Sequence, residues 1–509
     1  MKKMKWQLWI PAAFWVIQLI SEVMVFTAIY NLGMIPGTLL ALCGLGLLVL
    51  LTVPGALLLR YKKSWGKTRR WIAAVLSFAV IVACVIGVCA VSKVKNTLDN
   101  VIVDEPEGIP VAIYVRKDDP AQSIADAAEY TFAGVENYET QRTQIVIDSL
   151  CQTLNKQITL SYYISVFDMV DGLLATEVDA IILNPAYADI LEEMEGYEDF
   201  SSKVRVLHEV LTPEKLTAEE PAVPEETEPQ ETTAPIVKDI TKAPFVIYIS
   251  GTDTKAKVFR TCRSDVNILM VVNPANKQIL LVNTPRDYYV ENPAGNNVRD
   301  KLTHCGMYGI ENSVETLSEL YGIDIDYYAR INFNGFEKVI DAIGGITVYS
   351  TQSFSTCGVH FEKGANVLDG EKALIFARER KKVAGGDNGR GKNQMRVITA
   401  VIDKMTSSTV LVSNFSGILS SLGDMFTMNI PADDVAALVK MQLAEMPSWD
   451  VKSFAVTGEN GRNETYSMPG RKLSVMYVDD AYVSHAAELV NKMLSGKVIL
   501  DADLKLTKD

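Results

Sequence analysis

Histidine is scarce in this chain of 509 residues, and acidic side chains outnumber basic ones by 62 to 49. A net charge of −13 argues against nucleic-acid binding, because a protein that neutralises phosphates needs a basic face. A hydrophobic fraction of 48% excludes a mostly disordered chain. We also expect no zinc site, because no zinc-ligand spacing relates the four histidines, which are His208, His304, His360 and His485.

Acidic residues are almost missing from the first 95 residues, where Glu22 stands against eleven lysines and arginines. Three apolar runs in this part are each long enough to cross about 30 Å of hydrocarbon as a helix. They lie at about 8–30, 34–59 and 71–92. Basic residues precede the first run and fill the link between the second and third. By the positive-inside rule we predict a multi-pass cell-membrane protein with a cytoplasmic N-terminus and a large extracellular C-terminal region. Glu22, inside the first run, is expected to face the helix bundle or the outer interface.

Cysteine is also rare, and its seven positions are divided between the two parts of the chain. Three fall in the apolar runs and are expected to pack as small apolar side chains: Cys43, Cys84 and Cys89. Four lie in the predicted extracellular part, where oxidising conditions permit disulfides: Cys151, Cys262, Cys305 and Cys357. Four cysteines allow three pairings. If one bridge forms, we favour Cys262 with Cys357, since both flank the motif region described below.

The part after the apolar runs divides into three segments. Residues 104–210 alternate short apolar runs with helical patterns, which predicts a small α/β domain without a chemical motif and with a structural or partner-binding role. Residues 211–242 include TPEKLTAEEPAVPEETEPQETTAP, a composition typical of an extended linker or an exposed insertion. Residues 243–498 are again α/β. The strands predicted there are 245–250, 266–272 and 278–283, and their continuous apolar runs suit a sheet covered by helices on both faces.

Charged residues gather where these three strands end or begin, an edge at which α/β sheets usually bind ligands. They are Asp253, Arg263, Asp265, Arg286 and Asp287. A second cluster lies within ARERKKVAGGDNGRGKNQ and comprises Arg378, Arg380, Lys381, Lys382, Arg390 and Lys392. Arginine forks bind phosphate bidentately, so several together indicate a di- or polyphosphate ligand. Paired aspartates nearby would hold Mg²⁺, which binds through one or two carboxylates plus phosphate oxygens.

Five separated motifs in this part of the chain resemble the LytR-CpsA-Psr (LCP) family in order, spacing and composition. They are FRTCRSDVNILMVVNP (259–274), NTPRDYYV (283–290), DKLTHCGMYG (300–309), GFEKVIDAIGGITV (335–348) and ALIFARER with DNGRGKNQ (373–380 and 387–394). The resemblance covers about residues 245–405. The three apolar runs and the preceding α/β domain are similar to capsule-type CpsA members, which carry an accessory domain. The resemblance therefore implies three transmembrane helices, an accessory α/β domain and an α-β-α sandwich catalytic domain.

The resemblance implies a Mg²⁺-dependent phosphotransferase of the Gram-positive cell envelope. Family members move a glycopolymer, such as a capsular polysaccharide or teichoic acid, from an undecaprenyl-pyrophosphate carrier in the membrane lipid onto peptidoglycan. By motif, Asp253 and Asp265 would bind the metal. The pyrophosphate would be held by Arg263, Arg286, Lys301, Arg378, Arg380, Arg390 and Gln394. Catalysis would depend on Arg263, Asp265, Arg286, Arg378 and Arg380.

Several points stay open at the level of sequence. Lys392 stands where arginine is common in the family, which puts bidentate binding there in question. Asp265 or Asp287 could accept the proton of the attacking sugar hydroxyl, and Asp287 could equally be a turn residue. The family also has an apolar tunnel for the prenyl chain, whose lining cannot be told from ordinary core residues. Two other functions use the same residues: a hydrolase of polyprenyl pyrophosphate, and a regulator that binds polyprenyl phosphate without turnover.

Overall fold

The computed structural model describes residues 2–59, 66–101, 108–136, 140–213, 239–253, 261–407, 417–418, 422 and 425–506. Most of the predicted linker, residues 214–238, lies outside the described residues, as does 60–65 of the basic link. The described part consists of a helical bundle, a five-stranded α/β unit and a larger α/β unit built on six strands. This arrangement confirms the predicted fold class.

Three long helices open the chain: α1 (Lys2–Asn31), α2 (Gly37–Leu59) and α3 (Gly66–Val101). Each contains a stretch long and apolar enough to cross a membrane, as predicted. Glu22 faces the interior of the bundle, where Gln18 Nε2 donates to Glu22 Oε1 over 2.6 Å and to Leu50 O of α2 over 3.0 Å. Gln18 therefore links the Glu22 carboxylate to the backbone of α2.

The smaller α/β unit contains a five-stranded sheet in the order β3-β2-β4-β1-β5. Its strands are β1 (Ile109–Arg116), β2 (Thr131–Val135), β3 (Thr159–Tyr163), β4 (Ala180–Leu183) and β5 (Val204–Thr212). Its helices are α4 (Thr140–Leu154), α5 (Val166–Leu174), α6 (Tyr187–Glu192) and α7 (Phe200–Lys203). Strands β1, β3 and β4 coincide with the short apolar runs of this segment, at 111–115, 158–162 and 180–183.

The larger unit is organised on a six-stranded sheet with the order β16-β11-β6-β7-β8-β17. From the linker onward the strands are β6 (Phe245–Thr252), β7 (Val266–Asn273), β8 (Gln278–Asn283), β9 (Tyr289–Asn292), β10 (Val298–Lys301), β11 (Tyr327–Asn332), β12 (Ile346–Ser350), β13 (Phe354–Thr356), β14 (Val359–Phe361), β15 (Gly364–Leu368), β16 (Phe426–Met428), β17 (Asp450–Ala455), β18 (Gly458–Thr465) and β19 (Met468–Val478). The helices are α8 (Leu302–Cys305), α9 (Ile310–Tyr321), α10 (Phe333–Ala342), α11 (Gly370–Arg378), α12 (Gly386–Ser407), α13 (Ala432–Glu445) and α14 (Asp480–Leu494).

Alternate residues of the central strands pack into separate cores on the two faces of this sheet. Tyr248 and Leu269 point to a core completed by α9 and α14, whereas Ile247 and Ile268 point to a core completed by α12 and α13. The strands are therefore apolar throughout, because successive side chains point to opposite faces and both faces are covered. The result is the α-β-α sandwich expected from the sequence.

The larger unit packs against both of the other parts of the chain. Met34, in the link after α1, and Leu98 of α3 belong to the same apolar core as Phe245. The five-stranded unit shares a second core with the larger one, and Asn184 Nδ2 there donates to Met307 O over 3.0 Å. These contacts fix the large sheet against the helical bundle and against the smaller sheet.

The predicted disulfide between Cys262 and Cys357 is wrong. Both residues are thiols. Cys262 is buried, and its carbonyl oxygen lies against Gly306. Cys357 is exposed at the turn between β13 and β14, with a φ of 48°. The two side chains belong to different environments, and flanking the same motifs in sequence does not bring them together.

Candidate functional site: an arginine-lined cavity at the sheet edge

The strand directions gather the predicted charged residues at one edge of the large sheet. Strand β7 runs antiparallel to both β6 and β8, so the end of β6, the start of β7 and the end of β8 meet there. Asp265 N donates to Gly251 O over 2.8 Å, which fixes the start of β7 beside the end of β6. This geometry brings Asp253, Asp265 and Arg286 to the same edge.

Asp265 and Arg286 form a buried ion pair. Arg286 Nη1 lies 2.6 Å from Asp265 Oδ1, and Thr303 Oγ1 donates to the same oxygen over 3.2 Å. Burial acts to raise the pKa of Asp265, but the guanidinium groups of Arg286 and Arg263 outweigh it and lower that pKa to about 2. Asp265 is therefore ionised at neutral pH.

Arg263 lies behind this pair with only 5% of its surface exposed. Its Nη1 is 2.8 Å from Glu193 Oε1, and its Nη2 is 3.6 Å from Asp253 Oδ2. Burial, together with the nearby charge of Asp265, raises the pKa of Asp253 to about 6 despite the attraction of Arg263. The negative charge of ionised Asp253 is thus not fully balanced by the positive charge of Arg263.

Asp253, Asp265 and Arg286 border a cavity of about 470 Å³, whereas Arg263 is buried beside it and is not part of the lining. Two acidic and four basic side chains that the sequence singled out line it: Asp253, Asp265, Arg286, Arg378, Arg380 and Arg390. Gln394, Phe333, Val266 and Glu193 are also part of the lining. The structure therefore brings together most of the residues for which the sequence predicted a diphosphate site.

Two helices supply Arg378 and Arg390, and Arg380 lies in the segment between them. Arg378 is the last residue of α11, and its guanidinium carbon lies 4.5 Å from the centre of the Phe333 ring, a cation–π contact. Arg390 and Gln394 are four residues apart on α12 and so lie on one helix face. Arg390 Nη2 is 2.5 Å from Asp387 Oδ1 on the same helix. Arg378 and Arg390 are thus positioned by helices.

An apolar pocket of about 90 Å³ adjoins the charged cavity and shares Val266, Phe333, Arg378 and Gln394 with it. Its other walls come from the sheet and from α10, α11 and α12, and include Ile249, Ile331, Phe336, Leu374 and Val397. Charged and apolar spaces therefore meet at Arg378 and Phe333. This is the region, between sheet and helices, in which the family resemblance implied a tunnel for a prenyl chain.

Lys301 occupies a different position from the arginines. Its Nζ lies 2.5 Å from Asp287 Oδ1, and the nearby ammonium lowers the pKa of Asp287 even though burial acts to raise it. Lys301 thus neutralises a buried carboxylate. Lys381, Lys382 and Lys392 have exposed side chains. A direct contact of Lys301 with phosphate stays a prediction.

Two cavity residues escaped the sequence analysis. Glu193 comes from the five-stranded unit, 70 residues before Arg263, and nothing in its local sequence relates it to the motifs. Phe333 lies two residues before the GFEKVIDAIGGITV motif, and it directly follows β11, a strand that the sequence analysis did not predict. Strand β11 is parallel to β6, so both strands end at this edge.

The two carboxylates suit a Mg²⁺ ion whose other ligands would be phosphate oxygens and water. Within the described ranges, no group of three or more acidic, histidine or cysteine side chains could hold a metal ion. Two carboxylates, Asp253 and Asp265, line the cavity, and repulsion between them contributes to the raised pKa of Asp253. Mg²⁺ commonly binds through one or two carboxylates together with phosphate oxygens and water. The residues present therefore suit the ion expected from the sequence.

A cluster of arginines at the edge of an α-β-α sheet, next to an apolar pocket, is an arrangement suited to a lipid-linked phosphate. The chain belongs to the LytR_cpsA_psr family, whose model matches residues 212–479, more than half of the chain.

Curated relatives and solved structures share this part of the chain. A protein of Oceanobacillus iheyensis named polyisoprenyl-teichoic acid–peptidoglycan teichoic acid transferase TagU is 36% identical over 184 residues, which are 35% of this chain and 57% of that protein. The TagU protein of Enterococcus faecalis is 36% identical over 38% of this chain and 64% of its own length. The chain thus spans less than two thirds of these two relatives. The crystal structure of Bacillus subtilis TagV matches with 26% identity, covers 51% of this chain and 99% of that one, and has a TM-score of 0.42.

Proposed function

We propose that this protein transfers a glycopolymer from a membrane-bound polyprenyl-pyrophosphate carrier to peptidoglycan. The observation that carries the proposal is the single cavity in which two aspartates and four arginines meet an apolar pocket. The names of the TagU relatives support a teichoic acid as the glycopolymer. The resemblance to capsule-type members of the family supports a capsular polysaccharide as the other candidate.

The reaction would exchange one phosphate linkage for another. A sugar hydroxyl of peptidoglycan attacks the phosphorus next to the glycopolymer, the phosphoanhydride bond breaks, and polyprenyl phosphate leaves with the bridging oxygen. Negative charge grows on that oxygen, and fixed guanidinium groups stabilise it. Arg286 and Arg390 are held in place by carboxylates, so they need little rearrangement as the charge develops. Asp253 and Asp265 would hold Mg²⁺, which supplies further neutralisation of the phosphate oxygens.

The proton of the attacking hydroxyl finds a weak acceptor in either aspartate suggested by the sequence. The pKa of Asp265 is about 2, and that of Asp287 is lowered by Lys301. Phosphoryl transfer commonly passes through a loose transition state in which positioning and charge stabilisation matter most. We therefore assign Asp265 to the metal and to the positioning of Arg286, and not to proton abstraction; the proton would pass to the departing polyprenyl phosphate or to water.

The three N-terminal helices fit a substrate that stays in the membrane. Met34 and Leu98 pack into the core of the large sheet, so the cavity is fixed relative to the helical bundle. A tethered enzyme meets a lipid carrier at a high effective concentration. The basic residues before α1 and between α2 and α3 favour an extracellular cavity, on the side where peptidoglycan lies.

The test uses the full-length protein in detergent or lipid nanodiscs with a labelled lipid-linked glycopolymer. We expect polyprenyl phosphate and a covalent glycopolymer–peptidoglycan product only when peptidoglycan is added. Release of glycopolymer phosphate without acceptor would indicate a hydrolase instead. Tight carrier binding without any product would indicate a regulator. Offering teichoic-acid and capsular carriers in parallel identifies the glycopolymer.

The metal is tested in the same assay. Chelation should abolish transfer, and Mg²⁺ should restore it. The double substitution Asp253→Asn with Asp265→Asn should remove the response to Mg²⁺, with folding checked by thermal unfolding. Full activity of this double variant would contradict the assignment of the metal site.

A further inference from the structure

The charged cavity contains one carboxylate that comes from the five-stranded unit. Glu193 directly follows α6 and lines the cavity beside Asp253 and Asp265. The segment is held against the larger unit by two contacts: Asn184 Nδ2 donates to Met307 O over 3.0 Å, and the hydroxyls of Tyr187 and Tyr308 are 3.3 Å apart. The position of Glu193 is therefore set by packing between the two units.

Glu193 and its partner differ sharply in exposure. The Arg263 side chain is 5% exposed, whereas the Glu193 side chain is 51% exposed, and their closest charged atoms are 2.8 Å apart. A buried guanidinium needs a counter-charge, because an unpaired buried ion is costly. The half-exposed carboxylate, in contrast, can turn to water at little cost. Arg263 is thus the fixed member of the pair and Glu193 the exchangeable one.

We propose that Glu193 is a displaceable placeholder for a phosphate group on Arg263. Carboxylate and phosphate oxygens offer a guanidinium the same charge-assisted hydrogen bonds. In the structure Glu193 Oε1 contacts Arg263 Nη1, and an oxygen of the incoming diphosphate would replace this contact while the Glu193 carboxylate moves into solvent. The five-stranded unit thereby weakens the affinity of the transferase for its diphosphate. This inference rests on the proposed function, since it requires that a diphosphate enters the cavity.

The experiment compares two neighbouring charge-neutralising variants, Glu193→Gln and Glu192→Gln, in the full-length protein. The control, Glu192, ends α6 and accepts a hydrogen bond from Ser201 N over 3.2 Å. The probe is geranylgeranyl diphosphate with saturating Mg²⁺, and its dissociation constant is measured by calorimetry. We expect Glu193→Gln to bind the probe at least about threefold more tightly, because a charged competitor for Arg263 is gone. Glu192→Gln should bind it like the wild type.

A second measurement separates displacement from general damage to the site. Without the probe, Glu193→Gln should melt at a lower temperature than the wild type, since Arg263 loses a counter-charge. With the probe, the increase in melting temperature should be larger for Glu193→Gln than for the wild type. A purely structural role of Glu193 would lower stability without raising affinity.

Three results would overturn the inference. Equal or weaker binding by Glu193→Gln would show that Glu193 does not compete with the diphosphate. If Glu192→Gln lowered the dissociation constant of the probe equally, the effect would come from long-range charge and not from competition for Arg263. Wild-type protein that fails to bind the probe would overturn the proposed function as well, which distinguishes that failure from the first two. If Glu193→Gln does not fold, Glu193→Ala replaces it, with the same expected order of affinities.

Discussion

Arg286 and Asp265 form the central ion pair of the cavity, with Arg286 Nη1 2.6 Å from Asp265 Oδ1 and both side chains largely buried. The same ion pair stabilises this edge of the sheet and sets the charge of the cavity wall. Asp265 is the first residue before β7, and Arg286 follows β8. Each residue therefore orients the other across adjacent antiparallel strands.

We first predict that Arg286→Ala destabilises the protein by about 3–5 kcal/mol, because it leaves a buried carboxylate without its main partner. Chemical unfolding of the full-length protein in detergent measures this loss. Arg286→Lys should keep much of the stability, since the charge remains, but it should lower transfer by about 10²-fold because the planar fork is lost. Wild-type activity of Arg286→Lys would show that the fork geometry is not used.

The second prediction concerns pH and the pair of Asp287 with Lys301. The pKa of Asp287 in the folded protein lies below its ordinary value of 3.8, and the nearby Lys301 is the cause. A carboxylate with a lowered folded pKa adds stability above its ordinary pKa, and this stability is lost as the pH falls through the folded pKa. Asp287→Asn should therefore be less stable than the wild type at pH 7, and the difference should shrink as the pH falls below the ordinary pKa of 3.8 and vanish once the pH is below the lowered pKa of the folded protein.

The same variant tests the role of Asp287 in proton transfer. Asp287→Asn should retain transfer per folded molecule, with the pH profile of the wild type, because the pair is structural. Thermal unfolding across pH gives the stability difference, and initial rates give the profile. A loss of activity at unchanged stability would restore Asp287 as the proton acceptor.

In the large sheet, the sequence predicted β6, β7 and β8, which carry continuous apolar runs, and missed β11, β16 and β17. The runs at β6, β7 and β8 are covered on both faces, so their composition alone identifies them. Strand β11, YYARIN, contains Arg330, which is fully buried, and its pairing with β6 comes from a distant part of the chain. Strand β17 pairs with β8 in the same long-range way. The local amino-acid composition does not indicate such long-range strand pairing.

The residues of the candidate site also divide into those that the sequence predicted and those that it did not. Motif residues that follow or precede predicted strands converge in the cavity, because strand direction alone places Asp253, Asp265 and Arg286 at one edge. Lys301 belongs to the same motifs, but its length allows it to reach Asp287 instead. Glu193 enters from another unit through packing between units, and no spacing rule connects it with Arg263.

The third prediction uses two basic residues of α12. Arg390 lines the cavity with its side chain 13% exposed, whereas Lys392, two positions on and so on nearly the opposite helix face, is exposed. Arg390→Ala should lower transfer by about 10²-fold or more, as expected when a fixed donor to a developing charge is removed. Lys392→Ala should change it less than about twofold, since exposed charges far from a reaction contribute little.

Initial rates at saturating and limiting carrier distinguish these two variants. If Lys392→Ala lost as much activity as Arg390→Ala, the exposed lysine would reach the substrate by a route that the helix face does not indicate. Lys392 would then play the role of the arginine that is common at this position in the family. The expected outcome instead assigns that position to the surface.

The fourth prediction concerns the side of the membrane on which the cavity lies. Cys357 is exposed at the turn between β13 and β14, whereas Cys262 and Cys305 are buried. A membrane-impermeant maleimide added to intact cells should therefore label Cys357 if the large unit is extracellular. Peptide mapping by mass spectrometry separates this label from any on Cys151, and Cys357→Ala should remove it.

A matched control places a thiol on the predicted cytoplasmic side of the membrane. Lys5→Cys, introduced with Cys357→Ala, should react only after the cells are opened, because the basic N-terminus is predicted to stay inside. Labelling of Cys357 only in opened cells would place the cavity in the cytoplasm, away from peptidoglycan. The proposed transfer could not then take place, since an acceptor hydroxyl must reach the same cavity as the arginines proposed to hold the diphosphate.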